Sequence, residues 1–152
     1  MQNKQFYLNA VREQGLVDAK ALQTRAAELT GTEVYAEQSA VPDFAPEKQY
    51  LNYKEGFVCR SPSGRMVRLV QPYDSTVYTQ MPEELPAQWG FYWSQNPEDA
   101  LPFVAISTSP YMTGDCCTEN GVVYRSTIDN NVFPPGEYPQ GWQPVTQENP
   151  GQ

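Results

Sequence analysis

The chain repeats itself, and the repeat constrains what it can fold into. Residues 53–93 set beside residues 111–145 open "YKEGFVC" and "YMTGDCC", so Tyr53 and Gly56 correspond to Tyr111 and Gly114. A turn glycine follows in each copy, Gly64 in "SPSGRMV" and Gly121 in "TENGVVY". A second apolar run comes next, "RMVRLVQ" against "VVYRSTI", and each copy closes on a proline-rich stretch ending in tryptophan, Trp89 or Trp142. The runs are short and rich in β-branched residues, which favours strands over helices. Asn120-Gly121 is the strongest hairpin signal in the chain. Both copies therefore read as small antiparallel units, with "FVCRSPSGRMVRLVQ" and "CCTENGVVYRSTI" each forming two strands around a glycine.

The N-terminal third follows a different period. Phe6, Tyr7, Ala10 and Val11 recur at helical spacing, and Gly15 predicts a stop. Asp18 stands where an N-cap belongs, ahead of a second stripe carrying Ala19, Leu22, Ala26 and Leu29. Two short helices are expected, too small to hold a core alone. The expected fold is α+β, mainly β: a short helical N-terminal segment followed by two small antiparallel β-modules in tandem. In residue ranges these are a helical attachment or oligomerisation segment (1–36), a linker (37–47), a first module (48–95), a connector (96–107), a second module (108–146) and a polar tail (147–152).

Composition narrows the chemistry. The net charge of −8, from 18 acids against 10 bases, is the wrong footprint for a phosphate backbone, so nucleic acid is not expected as a partner. No apolar run approaches the roughly 20 residues of a membrane helix, so no membrane insertion is expected. Histidine is absent, which removes most general-base, triad and zinc schemes. Catalysis would rest on cysteine or carboxylates. Cys59, Cys116 and Cys117 lack a C-x-x-C pair and an adjacent base, and neighbours on a strand point to opposite faces. They read as small packing residues. The acid pairs Glu83–Glu84 and Glu98–Asp99 each follow a proline, where acids start helical turns. No enzyme, metal or cofactor is expected.

The pattern Y-x-x-G-D-x-x-x-x-N-G-x-x-Y, followed by "DNN" and "YPQGW", resembles the small β-modules related to the type 3 chitin-binding, or carbohydrate-binding, modules of bacterial chitinases. The stretch "STIDNNVFPPGEYPQGWQPV" looks closer still to modules in tail- or fibre-associated proteins of bacteriophages. The likeness covers residues 111–145 well and residues 53–93 loosely. It implies a non-enzymatic virion protein of a tail, baseplate or head fibre, made in the host cytoplasm. Its expected partners are other virion proteins, further copies of itself and bacterial cell-surface polysaccharide.

Chitin-binding members carry exposed aromatics directly after the second strand, where this chain reads "STIDNN". The carbohydrate-binding candidates are therefore Phe133, Tyr138, Asp129, Asn130 and Asn131 in the second copy, and Tyr73 and Tyr78 in the first. Tyr53, Gly56, Gly64, Trp89, Tyr111, Gly114, Gly121, Tyr124 and Trp142 read as structural. Phe6, Tyr7, Ala10, Val11, Leu22 and Leu29 read as the attachment stripe. Two other readings compete: a fibre-assembly chaperone or adaptor absent from the particle, and a carbohydrate-binding companion of a glycoside hydrolase.

Overall fold

A computed structural model describes residues 2–146, with side chains from Gln14 onward. It is an α+β fold: a helical N-terminal segment followed by two small sheets. The helix α1 spans Gln2–Arg25 without a break at Gly15. One exposed glycine costs a helix only about 1 kcal/mol, so it interrupts nothing by itself. Asp18 is accordingly no cap: its carboxylate accepts from Gln14 one turn earlier, at 2.9 Å. The real N-cap is Thr30, which forms a full capping box with Glu33 and starts the short helix α2, Gly31–Ala36. Of the proposed attachment stripe, Phe6, Tyr7, Ala10 and Val11 lie outside the described side chains.

The first sheet contains β1 (Val58–Arg60), β2 (Met66–Leu69) and β3 (Trp89–Phe91), antiparallel in that order. The second contains β4 (Leu101–Pro102), β5 (Cys116–Glu119), β6 (Val122–Ser126) and β7 (Trp142–Pro144). Strands β5 to β7 are antiparallel, and β4 runs parallel along the edge of β5. Gly56, Gly64, Gly114 and Gly121 all have φ between 79° and 98°, the left-handed region that glycine enters without penalty. Each hairpin turns where its glycine predicts.

The two copies correspond element by element in their strand pairing. Leu69 pairs with Trp89 as Ser126 pairs with Trp142, so each tryptophan opens the third strand opposite the end of the second. Even the edge strand is duplicated: Asp43 bridges Arg60 in parallel, as Pro102 bridges Thr118. The stretch expected as a linker is thus part of the first copy, and the expected connector carries β4.

At the centre of each copy stands the same aromatic triad. Phe44 stacks on Tyr50 at 5.6 Å, and both meet Trp89 edge-on at 5.8 and 5.1 Å. Phe103 stacks on Tyr111 at 5.4 Å, and both meet Trp142 edge-on at 6.0 and 5.3 Å. The backbone N–H of Ala45 donates to the Tyr50 hydroxyl as that of Val104 donates to the Tyr111 hydroxyl. The counterpart of Tyr111 is therefore Tyr50, not Tyr53. Tyr53 and Phe57 pack outside the triad.

Period-two alternation covers the first sheet on both faces. Cys59, Val67, Leu69, Trp89 and Phe91 face an aromatic core shared with Tyr111, Cys117 and Trp142 of the second copy. Val58 and Met66 face the helical segment, where they bury Leu22, Ala26, Val34 and Tyr35. Leu22 is completely buried there, so it belongs to the fold's own core and leaves the attachment stripe. Leu29 packs half-buried against the same cluster. The Gln23 carboxamide locks α1 to β1, accepting from the Val58 N–H at 2.8 Å and donating to its carbonyl at 2.7 Å. Gly31 lets α2 lie directly on the backbone at Trp93, where a Cβ would stand 2.0 Å from the carbonyl oxygen.

Candidate functional site

The sequence candidates of the second copy lie on the loop between β6 and β7. This loop is braced from inside. Asn131 exchanges two backbone hydrogen bonds with Tyr111, at 2.9 and 2.8 Å. Its side-chain amide donates to the Ser126 hydroxyl at 3.1 Å and the Gly141 carbonyl at 3.0 Å, while its oxygen accepts from the Phe133 N–H at 3.3 Å. Asn131 is fully buried with its polar atoms engaged. It holds the loop from inside and offers no exposed polar atom to a ligand, which corrects its sequence reading.

Phe133 is gripped at both backbone groups, because its carbonyl also accepts the Trp142 indole N–H at 2.7 Å. The ring itself turns outward and is 52% exposed. Half-buried Tyr138 lies beside it, ring centroids 5.6 Å apart and tilted by 48°. Gly141 lets that ring lie close: a Cβ there would come within 2.6 Å of Tyr138 Cδ2. At the loop tip, the Gly136 N–H donates to Glu119 of β5 at 2.8 Å. Phe133 and Tyr138 therefore form a surface aromatic pair on a pinned loop, with apolar faces available to sugar C–H bonds.

Asp129 and Asn130 occupy the other arm of the loop, beside the Met112–Thr113 turn. The Thr113 N–H donates to Asp129 at 3.0 Å and holds its carboxyl below the usual range. Both residues are exposed, and no hydrogen bond joins either to Phe133 or Tyr138 among the described residues.

In the first copy the equivalent loop makes the same turn. The Asp74 carbonyl accepts from Val77 and Tyr78 as the Pro134 carbonyl accepts from Glu137 and Tyr138. Tyr73 thus corresponds to Phe133, and Tyr78 to Tyr138. Their exposures differ: Tyr73 is 8% exposed and Tyr78 is 55% exposed. Tyr73 has a hydroxyl, which takes the Trp89 indole N–H inside the core. Phenylalanine has none, so in the second copy a backbone carbonyl takes that role and the ring is released. Tyr73 is a core residue and leaves the binding candidates; Tyr78 stays on the surface.

The catalytic alternatives find no assembled geometry among the described residues. Glu83 is spent on Arg65, at 3.0 Å, and on the Ser63 hydroxyl. Glu98 and Asp99 start a short 3-10 turn capped by the Asn96 side chain, the first-turn role read from their sequence. The three thiols are free and buried, and burial pushes those of Cys59 and Cys117 up to about 12. Among the described residues no three His, Cys, Asp or Glu side chains converge as a metal site would require. No described helix is long and apolar enough to cross a membrane.

The sequence signals missed two features. Phe44, two residues after Pro42, and Phe103, directly after Pro102, mark the duplicated edge strands. Arg65 reaches from the turn after β1 to the Pro102 carbonyl of β4, at 2.6 Å, joining the two sheets. Comparison of the chain with protein-family models, curated proteins and solved structures finds no match.

Proposed function

We propose that the protein is a non-enzymatic structural component of a tailed bacteriophage particle, on a tail, baseplate or head fibre, that bears on a bacterial surface polysaccharide. The observation that carries the binding half is the exposed Phe133 ring, held at both its N–H and its carbonyl by Asn131 and Trp142 and flanked by Tyr138. A loop fixed this firmly presents aromatic surface at little entropic cost, as a binding platform requires. The sequence resemblance of residues 111–145 supports the virion half. Helix α1 supports attachment through the part that precedes the buried Leu22, because Leu16 and Val17 there remain 60% and 58% exposed. Self-association through that part would multiply weak surface contacts.

Mass spectrometry of purified particles tests the virion half, and its absence from them would favour an assembly factor. Sedimentation on isolated bacterial cell walls tests the binding half. Phe133→Ala and Tyr138→Ala should each reduce the sedimented fraction several-fold. Unchanged sedimentation of both variants removes the loop from the proposal.

A further inference from the structure

A second surface feature lies away from the loop, at residues the sequence assigned no binding role. The end of α1 and the turn from Asn52 to Phe57 enclose a groove of about 470 Å³. Ala27, Glu55 and Gly56 also line an adjoining hollow of about 500 Å³, walled further by Leu29, Arg68 and Tyr92. The result is one trench along the seam between the helical segment and the first sheet. It depends on the docking of α1 through Gln23 and Leu22.

We infer that this trench is a second saccharide site, taking consecutive rings of a neutral, hydroxyl-rich polysaccharide. The inference extends the surface-polysaccharide reading above. Tyr53 and Phe57 form one wall, edge-to-face with centroids 4.7 Å apart, and both are only half-buried. Such a wall suits the C–H face of a sugar ring. The rim mixes acceptor and donors: the Glu55 carboxylate at the junction, the Lys54 ammonium beside it and the Arg68 guanidinium at the far end. Each sugar hydroxyl both donates and accepts, so a rim with both kinds of group matches it. Arg68 makes no ion pair among the described residues; its half-buried side chain lies against Gly90 and over the Tyr92 ring at 5.4 Å, which fixes the guanidinium at that end of the trench. The Glu55 carboxylate at mid-trench places a like charge against an acidic ring seated there, between the Lys54 and Arg68 cations. An uncharged chain fits both hollows.

Calorimetric titration of the full chain with cellohexaose, maltohexaose and a galacturonate hexamer tests the assignment. At least one neutral hexaose should bind, and the acidic hexamer should bind more weakly. Glu55→Gln and Arg68→Gln should each weaken the neutral ligand about tenfold, the loss of one hydrogen bond to a charged group. Thermal melts of the same variants should match the parent, since neither side chain lies in the core. The trench is overturned if no neutral hexaose binds, if both variants bind as the parent does, or if the acidic hexamer binds best. Cell-wall sedimentation through Phe133 and Tyr138 without hexaose binding overturns the trench alone. Hexaose binding lost in the trench variants, with sedimentation indifferent to the loop variants, overturns the loop instead.

Discussion

The Tyr73 hydroxyl accepts the indole N–H of Trp89 at 2.9 Å, inside the aromatic core of the first copy. Tyr73→Phe removes the acceptor and leaves a buried N–H without a partner. The expected cost is about 1–3 kcal/mol in urea unfolding, with no change in cell-wall sedimentation. A variant that keeps its stability but loses sedimentation would return Tyr73 to the binding surface.

Trp142 and Phe133 should separate stability from binding. Trp142 is 5% exposed and closes the second triad, so Trp142→Ala should cost about 3–5 kcal/mol. Phe133→Ala removes an exposed ring while keeping the backbone that receives the indole N–H, and should shift stability by only about 0.5 kcal/mol. Paired denaturation and sedimentation measurements on both variants check this. Equal destabilisation by the two would mean that the loop ring is part of the core.

The Arg65–Glu83 pair should couple the sheets. Its side chains are 10% and 11% exposed, and Arg65 also holds the β4 edge. Removing one partner of a buried pair strands the other charge, at roughly 3–5 kcal/mol. Arg65→Ala should therefore lower the midpoint of one shared unfolding transition. Two resolved transitions in the parent protein would show that the sheets melt independently.

Alkaline pH should unfold the protein through groups that burial keeps neutral. Burial raises Cys59 and Cys117 from 9.0, and Tyr35 from 10.0, each to about 12. These groups ionise more easily in the unfolded chain, so the stability they support is intact below pH 9 and falls as pH rises toward about 12. At pH 8 the thiols should react with a disulfide reagent only after denaturant is added. Rapid labelling of the native protein would refute their burial.

How much of this was legible depends on whether the information is local. The hairpins were, because a β-branched run folding back at a left-handed glycine is written within a dozen residues. Tyr50 was not: it lies six residues before Gly56, whereas Tyr111 lies three before Gly114, so Tyr53 matched by spacing alone. Asn131 and Tyr73 looked like surface residues because a buried polar group is recognisable only by its partners, Ser126 and Gly141 in one case and Trp89 in the other. The Thr30–Glu33 capping box stood in the sequence directly after the stripe that ends at Leu29.

Helix α1 has 24 residues, and Leu22 is the first completely buried side chain along its described part. At about 1.5 Å per residue, some 30 Å of helix separate that anchor from Gln2. A helix of this kind is a strut with a defined azimuth, not a tether. One residue inserted ahead of Leu22 would lengthen it by only about 1.5 Å, yet would swing anything gripped by its far end through about 100° relative to the loop of Phe133. Inserting seven residues nearly restores the original bearing at a greater distance. Relative to anything gripped by that end, both the distance and the bearing of the Phe133 loop would thus follow the residue count of one helix.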